Sequence, residues 1–502
     1  MHLRSQFLLA LVVSAYLFPV RAADSSVRHT GADSQALLEQ VARSPFLERN
    51  LRSLCDEVGS RMPGTPGMEK AVDWAVQAFR EAGVDEVHTE SFSIPQSWQE
   101  GETRIEVLSP TQFTVTGASS AWVPATPRGG VRAQVLDGGS GSPGQISRLG
   151  EAARGKILLV GSDAATTFWD LADEQRDSTI ALREAVKAGA AAVLFTATRP
   201  NKLLYRHVNT LDGHLDAIPT ALVAREDGLR IQRLLASGKK VEMHLALPNK
   251  AGGPIRSRNV VAEIRGSEQP AEIVIAGAHL DSWDMGTGCL DNAVNVSLVI
   301  ELARSMRTLP RRARRTIRFI LFGGEEQGLL GSRAYVRDHR AELDSVTAVV
   351  IHDMGVGKIR GYSLGGRRDI EDKLVAAMDP VAGRGANAHS YDAFFGSDHF
   401  DFLLEGIPTL IAMQDTVNYV PYYHSAADTY EKVDLNGLRD AAGIAAVTVF
   451  NIADLPDRLG ERLDRRQLEE LMVRTDLDDQ LKFLGLWEEW KEGRRGRDPG
   501  GP

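Results

Sequence analysis

Four apolar runs, EIVIAGAHL (272–280), RTIRFILFGG (315–324), VTAVVIHDMG (346–355) and IPTLIAMQ (407–414), are each of strand length. Helical patterns lie between or after them: AVNVSLVIELARSM, LLGSRAYVRDHRAEL, DIEDKLVAAM and LNGLRDAAGIAAVTVFNIADL. Near-continuous apolar strands alternating with helices require a mostly parallel, mixed α/β sheet flanked by helices on both faces. Sheets of this kind bind ligands beyond the carboxyl ends of their strands. Here those ends empty into chemically loaded residues: His279 and Asp281 after the first run, Glu325 and Glu326 after the second, Asp353 in the third.

The rest of the 502 residues divides around that unit. Residues 1–22 read as an export signal, with Arg4 ahead of FLLALVVSAYLF and small residues Val20 and Ala22 before the cut, so the chain is expected in a periplasm, lumen or medium. The apolar stretch is shorter than the roughly 20 residues needed to span a bilayer. Residues 23–124 open the α/β unit with two amphipathic helices and a strand, EVHTESFSI. Between 125 and 250 the texture changes to short strands such as GKILLVG and AAVLFTA broken by two helices, the pattern of a β-rich insert. The α/β alternation resumes over 251–456. Residues 457–502 read as a charged helical tail with a disordered Gly/Pro end.

A formal net charge of -9, with basic residues scattered apart from RRARR at 311–315, argues against a nucleic-acid groove. No stable membrane insertion is expected. Cys55 and Cys289 allow one disulfide at most, and two separate buried thiols are the default expectation.

In extended chain, His279 and Asp281 point the same way. Asp291 follows a run of glycines at the expected start of the next helix, where by itself it would read as a helix cap. Adjacent carboxylates such as Glu325 and Glu326 repel unless a cation or a proton separates them. His424 lies in YYHSAADTY, ahead of the last long helix. Two histidines and several carboxylates converging on one sheet edge suit zinc, which takes imidazole nitrogen and carboxylate oxygen. Neither a GxSxG turn nor a GxxxxGK[ST] loop is present, which disfavours a covalent serine mechanism and phosphate chemistry.

The ordered series HLDSWDMGTGCLDN, GGEEQGLLGS, HDMG and YYHSAADT resembles the co-catalytic di-zinc exopeptidase family, which includes secreted aminopeptidases and glutamate carboxypeptidases. The likeness spans residues 35–455, with VGSRMPGTPGMEKAVDWAVQAFREAGV similar to the family's first helices and 125–250 similar to its inserted protease-associated domain. It implies two Zn²⁺ bridged by Asp291, one completed by His279 and Asp353, the other by Glu326 and His424. Glu325 would be the general base, and Asp281 the acceptor that orients His279. The loop FFGSDHFDF resembles a segment near the substrate, which makes Asp398 and His399 candidates for substrate contact or for orienting neighbours. Tyr422 and Tyr423 are candidates for an oxyanion donor or for aromatic packing. His352 is expected to face away from Asp353, into the flank of the sheet. NAVN after Asp291, with Val294 and Asn295, departs from the small residues common at that point.

The implied activity is hydrolysis of small peptides, with HLDSWD nearest the carboxypeptidase side of the family and an aminopeptidase as the alternative. A glutaminyl cyclase using one zinc, or a non-catalytic binding protein, would use the same scaffold. The insert could restrict access to the cleft or form a homodimer contact.

Overall fold

A computed structural model describes residues 31–416 and 418–500. The expected export signal at 1–22 lies outside them. Seven strands form the central sheet in the order Glu86–Ile94, Ile255–Ile264, Arg315–Phe322, Gln269–His279, Val346–Met354, Thr409–Gln414, Ile359–Ser363. The four strands from Arg315–Phe322 to Thr409–Gln414 run parallel, and the flanking pairs are antiparallel. The mixed sheet thus keeps its apolar strands in the parallel middle, where both faces are buried.

The alternation of strand side chains builds two layers. On one face Val274, Ala276, Phe319, Leu321 and Val350 pack under the helices Gly31–Ala42, Pro66–Ala82, Val294–Arg307 and Leu435–Asp454. On the other, Ile275, Ile320, Phe322 and Val349 meet Tyr335 and Val336 of helix Leu330–Asp338 and Phe402 of helix Phe400–Leu404. Local sequence sets the helix ends. Thr65 caps Pro66–Ala82 by accepting the Met68 N–H, Pro66 occupies the first turn, and Gly83 at φ +80° closes it.

A second sheet of eight strands has its own apolar core of residues such as Ile105, Val135, Leu159, Leu194 and Met243, with helices Phe168–Lys187 and Arg225–Ala236. Its strands run from Arg104–Ser109 to Glu242–Ala246, so the boundary expected at 125 falls inside it. The early strands Arg104–Ser109, Phe113–Thr114 and Gly117–Ser119 are short and lack an apolar run. Arg104–Ser109 and Gly117–Ser119 pair with distant partners, Glu242–Ala246 and Thr220–Val223, and Phe113–Thr114 joins the edge through Arg104–Ser109.

One further expectation is corrected. Cys55 and Cys289 form a disulfide rather than two free thiols. Packing of the first helices beneath Val294–Arg307 brings together residues 234 apart in sequence, a proximity that spacing cannot reveal. The tail, read from its sequence as charged and helical, packs an apolar face onto the molecule. Helices Arg465–Arg474, Leu477–Leu484 and Trp487–Lys491 lay Leu468, Leu471, Leu481 and Trp490 against Phe400, Leu403 and Leu404. Beyond them the Arg495 guanidinium is buried in a two-bond fork on Asp401, 2.8 Å at each arm. The apolar residues that make these contacts are spread over three short helices among the charged ones. No helix among the described residues is long and apolar enough to cross a membrane.

Closing so long a loop restricts the unfolded chain, which for disulfides stabilises the native state by about 2–4 kcal/mol. A Cys55→Ala/Cys289→Ala chain should unfold at correspondingly lower denaturant, read from paired urea titrations of the two proteins.

Candidate metal centre

Parallel register is what brings the acids together. Strand Gln269–His279 pairs Gly277 with Ile351 on one side and His279 with Phe322 on the other. His279 therefore stands level with Asp353, and the turn carrying Glu325 and Glu326 leaves the sheet just beyond Phe322. Asp291 reaches the same edge from the loop before helix Val294–Arg307.

The side chains form two clusters that share one residue. His279 Nε2 lies 3.1 Å from Asp291 Oδ1 and 3.1 Å from Asp353 Oδ1. His424 Nε2 lies 3.2 Å from Asp291 Oδ2 and 3.0 Å from Glu326 Oε2. Asp291 thus turns one oxygen toward each cluster. His279, Asp291, Glu326 and Asp353 are buried, and His424 nearly so. Asp291 Oδ2, Glu326 Oε1 and His424 Nε2 are buried without a hydrogen-bond partner, which in a native core calls for an explanation.

Electrostatics supply it. Burial works against a charged His279, yet Asp353, Asp281 and Asp291 overcome it and hold the imidazole well above its ordinary value. His424 is likewise raised to about 9 against its own burial, by Glu326 and Asp291. Burial pushes Glu326 up to about 7 and Glu325 well above the carboxylate range. The carboxylates, in short, demand positive charge at the positions between them. Divalent cations bound to neutral imidazole and ionised carboxylate would meet that demand and use the orphaned atoms as ligands. The residues present fit metal ions.

Comparison with known proteins agrees with this chemistry. Residues 259–449 match Peptidase family M28. Mouse (Mus musculus) carboxypeptidase Q is 30% identical over 413 residues, covering 81% of this chain and 85% of that one. The chain belongs to peptidase family M28. Aminopeptidase YwaD of Bacillus subtilis is 26% identical over 416 residues, covering 80% of this chain and 83% of its own. A solved M28 peptidase precursor from Shewanella amazonensis superposes with a TM-score of 0.79 at 26% identity, over 87% of this chain and 99% of that one. This M28 chain is a metallopeptidase.

The remaining expected residues take distinct places in the M28 site. Asp281 meets His279 through its main-chain carbonyl, which accepts the Nδ1–H at 3.0 Å. Its fully buried carboxylate instead receives the N–H groups of Glu325 and Glu326, at 3.2 and 3.3 Å, and so sets the position of that turn. Gly328 closes the turn at φ +113°, where a Cβ would stand 2.1 Å from the Leu211 carbonyl oxygen. Asp398 is fully buried and held well above its ordinary value by burial, against the pull of His279.

His399 does not join the metal groups. It is buried beside Phe394, with ring centroids 5.1 Å apart, and burial drives it down to about 3, so it is neutral. His352, fully buried, belongs to neither cluster and is neutral for the same reason. The two tyrosines part company. Tyr423 stacks on the His424 imidazole at 3.6 Å, and burial keeps its hydroxyl protonated. Tyr422 sits under the Lys432 ammonium, 5.1 Å from its ring, in a packing role.

Sequence reading gave no place in this centre to Asp428, Asn292 or Arg61, and marked Asn295 only as a departure in the helix that follows Asp291. Asp428 accepts the N–H groups of Leu290 and Asp291, at 2.6 and 3.2 Å, and burial lifts its carboxyl to about 7. Its signal was its place four residues after His424 in the same motif. The Asn292 amide donates to Asp353 Oδ1 at 3.0 Å and to the His352 carbonyl at 3.1 Å, and Asn295 donates to Asn292 Oδ1 at 2.7 Å. The unusual NAVN thus builds an amide bridge beneath the site. Arg61 is fully buried and donates to the carbonyls of Gly59, Leu280, Thr287 and Gly288, bracing the loop that leads to Asp291. Its only signal was a lone arginine in the Gly/Pro turn SRMPG.

Because Asp291 serves both clusters, Asp291→Ala should abolish metal retention, measured by elemental analysis after dialysis. Glu325→Gln leaves every cluster donor in place and should retain the metal.

Proposed function

We propose that this M28 metallopeptidase is an exported exopeptidase that hydrolyses small peptides at a site holding two zinc ions. The observation that carries the reading is the shared Asp291 carboxylate, with one oxygen facing each complete set of donors and Glu325 on the turn beside them. His279 and Asp353 would hold one ion, Glu326 and His424 the other. Three carboxylates among five ligands offset most of the charge of two Zn²⁺ and leave net positive potential. When bound, such a metal pair polarises a carbonyl and lowers the pKa of water.

The chain's own groups do the rest. The Glu325 carboxylate takes a proton from the attacking water and returns it to the nitrogen of the leaving amine, so no covalent enzyme intermediate forms. Its desolvated setting strengthens its grip on that proton, which suits a group that must carry it between two partners. Asp281 keeps Glu325 and Glu326 at fixed height through their N–H groups. The Tyr423 hydroxyl is a protonated donor beside the His424 ligand.

Carboxypeptidase action on small peptides is the first reading, supported by the 30% identity to a relative of that name. A specific observation favours an aminopeptidase as the second. Three buried arginines near the site are already committed: Arg61 to carbonyls, Arg199 to Glu174, Arg206 to Glu100 and Asp284. With these three guanidinium groups taken up by carbonyls and acids, a free amine is the end of a peptide that the acidic cluster attracts more readily than a free carboxylate. Export is supported by the apolar N-terminal segment and by the disulfide, which persists in oxidising compartments. The second sheet and its helices are read as the protease-associated insert.

Dipeptides blocked at one end or the other test both the activity and its direction. Cleavage that stops on chelation supports the reading, and the block that prevents cleavage names the direction. Glu325→Gln should lower kcat by about 10²-fold or more, in the range for loss of a general base. Normal turnover by that variant would overturn the assigned role.

A further inference from the structure

The two clusters are built from different parts of the molecule. Hydrogen bonds of His279, Asp353 and Asn292 run to residues of the central unit. His424, in contrast, sits on a loop at φ +58°, a left-handed conformation that residues with a Cβ seldom adopt and that persists only where surroundings impose it.

The surroundings belong to the second unit. Its segment 204–206, between strands Ala192–Thr196 and Thr220–Val223, lies antiparallel to the His424 loop. Arg206 N–H donates to the His424 carbonyl at 2.8 Å, and Ala426 N–H donates to the Leu204 carbonyl at 3.2 Å. The buried Arg206 side chain then reaches four oxygens. Nε and Nη2 fork onto the Asp284 carboxylate at 2.8 and 3.0 Å, Nη2 also reaches Glu100 at 2.8 Å, and Nη1 donates to the Ser119 carbonyl at 2.6 Å. Fixing Asp284 fixes its neighbour. The Trp283 indole meets the His424 imidazole edge-on at 5.8 Å and is backed at 6.3 Å by Trp122, itself next to the second sheet.

We propose that the second unit completes the Glu326–His424 metal site, with Arg206 the positioning residue that fastens Trp283 and the His424 loop in ligand geometry. The His279–Asp353 site does not depend on it. This rests on the two-metal reading above. Binding and release at one site are thereby tied to the seating of the second unit, while the other site stays loaded.

Zinc content of the full chain, followed along a chelator titration, tests this without reference to activity. The unsubstituted protein should carry two equivalents. Arg206→Met should keep one equivalent at unchanged chelator resistance and release the other at least about tenfold more easily, the usual effect of removing a residue that orients a ligand. Zinc anomalous diffraction should place the retained ion at His279 and Asp353. Asp284→Asn, a milder change that leaves Arg206 its bonds to Glu100 and Ser119, should shift the same single ion by less, and it stands in if Arg206→Met does not fold. Two ions of undiminished resistance in the variants would overturn the proposal, as would parallel loss of both ions, the mark of a general structural role. A single ion in the unsubstituted chain would overturn the two-metal reading itself, before any variant is compared.

Discussion

One carboxylate, that of Asp291, stands between two histidines, and the middle of the molecule is arranged to keep it there. Its Oδ1 faces His279 and its Oδ2 faces His424. With Asp353, Glu326 and Glu325, it concentrates more negative charge than a protein interior tolerates unless cations accompany it. The fold accepts that cost because the loop bearing Asp291 is held from several sides at once. Arg61 gathers its carbonyls, Asp428 its N–H groups, and Cys55 its neighbour Cys289. Asn292 then joins it to Asp353. Each tie satisfies a polar group that burial would otherwise leave unpaired, so the loop gains a single conformation along with its satisfaction.

The central sheet contributes position rather than chemistry. Parallel strands end at a common edge, and their register sets His279 level with Asp353, so two candidate donors from different strands converge without any loop having to find them. The loops supply what the strands cannot. Glu326 comes from a glycine turn propped by Asp281, and His424 from a segment in left-handed backbone. This division accounts for the contrast between the two clusters, one anchored in the sheet and the other leaning on neighbouring structure.

Contacts between the two units combine an apolar cluster, in which Phe92, Ile94 and Leu330 meet Val208, Leu211 and Leu215, with polar and aromatic ties. Arg206 with Glu100 and Asp284, and the run Trp98, Trp122, Trp283 and His424, join them next to the candidate metal centre. On the far side, Arg183 of the second unit donates to the Phe483 carbonyl of the C-terminal tail, and the tail's Gln480 bonds both Phe395 N–H and the Ala393 carbonyl. The tail therefore braces the loop that ends at Asp398 while touching the second unit. Its charged composition concealed this, because the apolar residues are spread over three short helices.

Much of this protein was legible in its sequence. Apolar runs alternating with helical periods point to a mostly parallel sheet covered by helices on both faces, since such strands must be buried on both sides. The residues at the ends of those runs pointed to three of the clustered donors, His279, Glu326 and Asp353, since strand ends are where a parallel sheet presents side chains together, whereas Asp291 and His424 come from loops. Four things were decided only by the tertiary structure: the pairing of Cys55 with Cys289, the start of the second sheet at Arg104, the burial of the tail, and the ties made by Arg61, Asp428, Asn292 and Arg206. All depend on partners far away along the chain. Periodicity reports how a residue relates to its own helix or strand, whereas a hydrogen bond from residue 206 to residue 424 exists only once two separately folded layers have met.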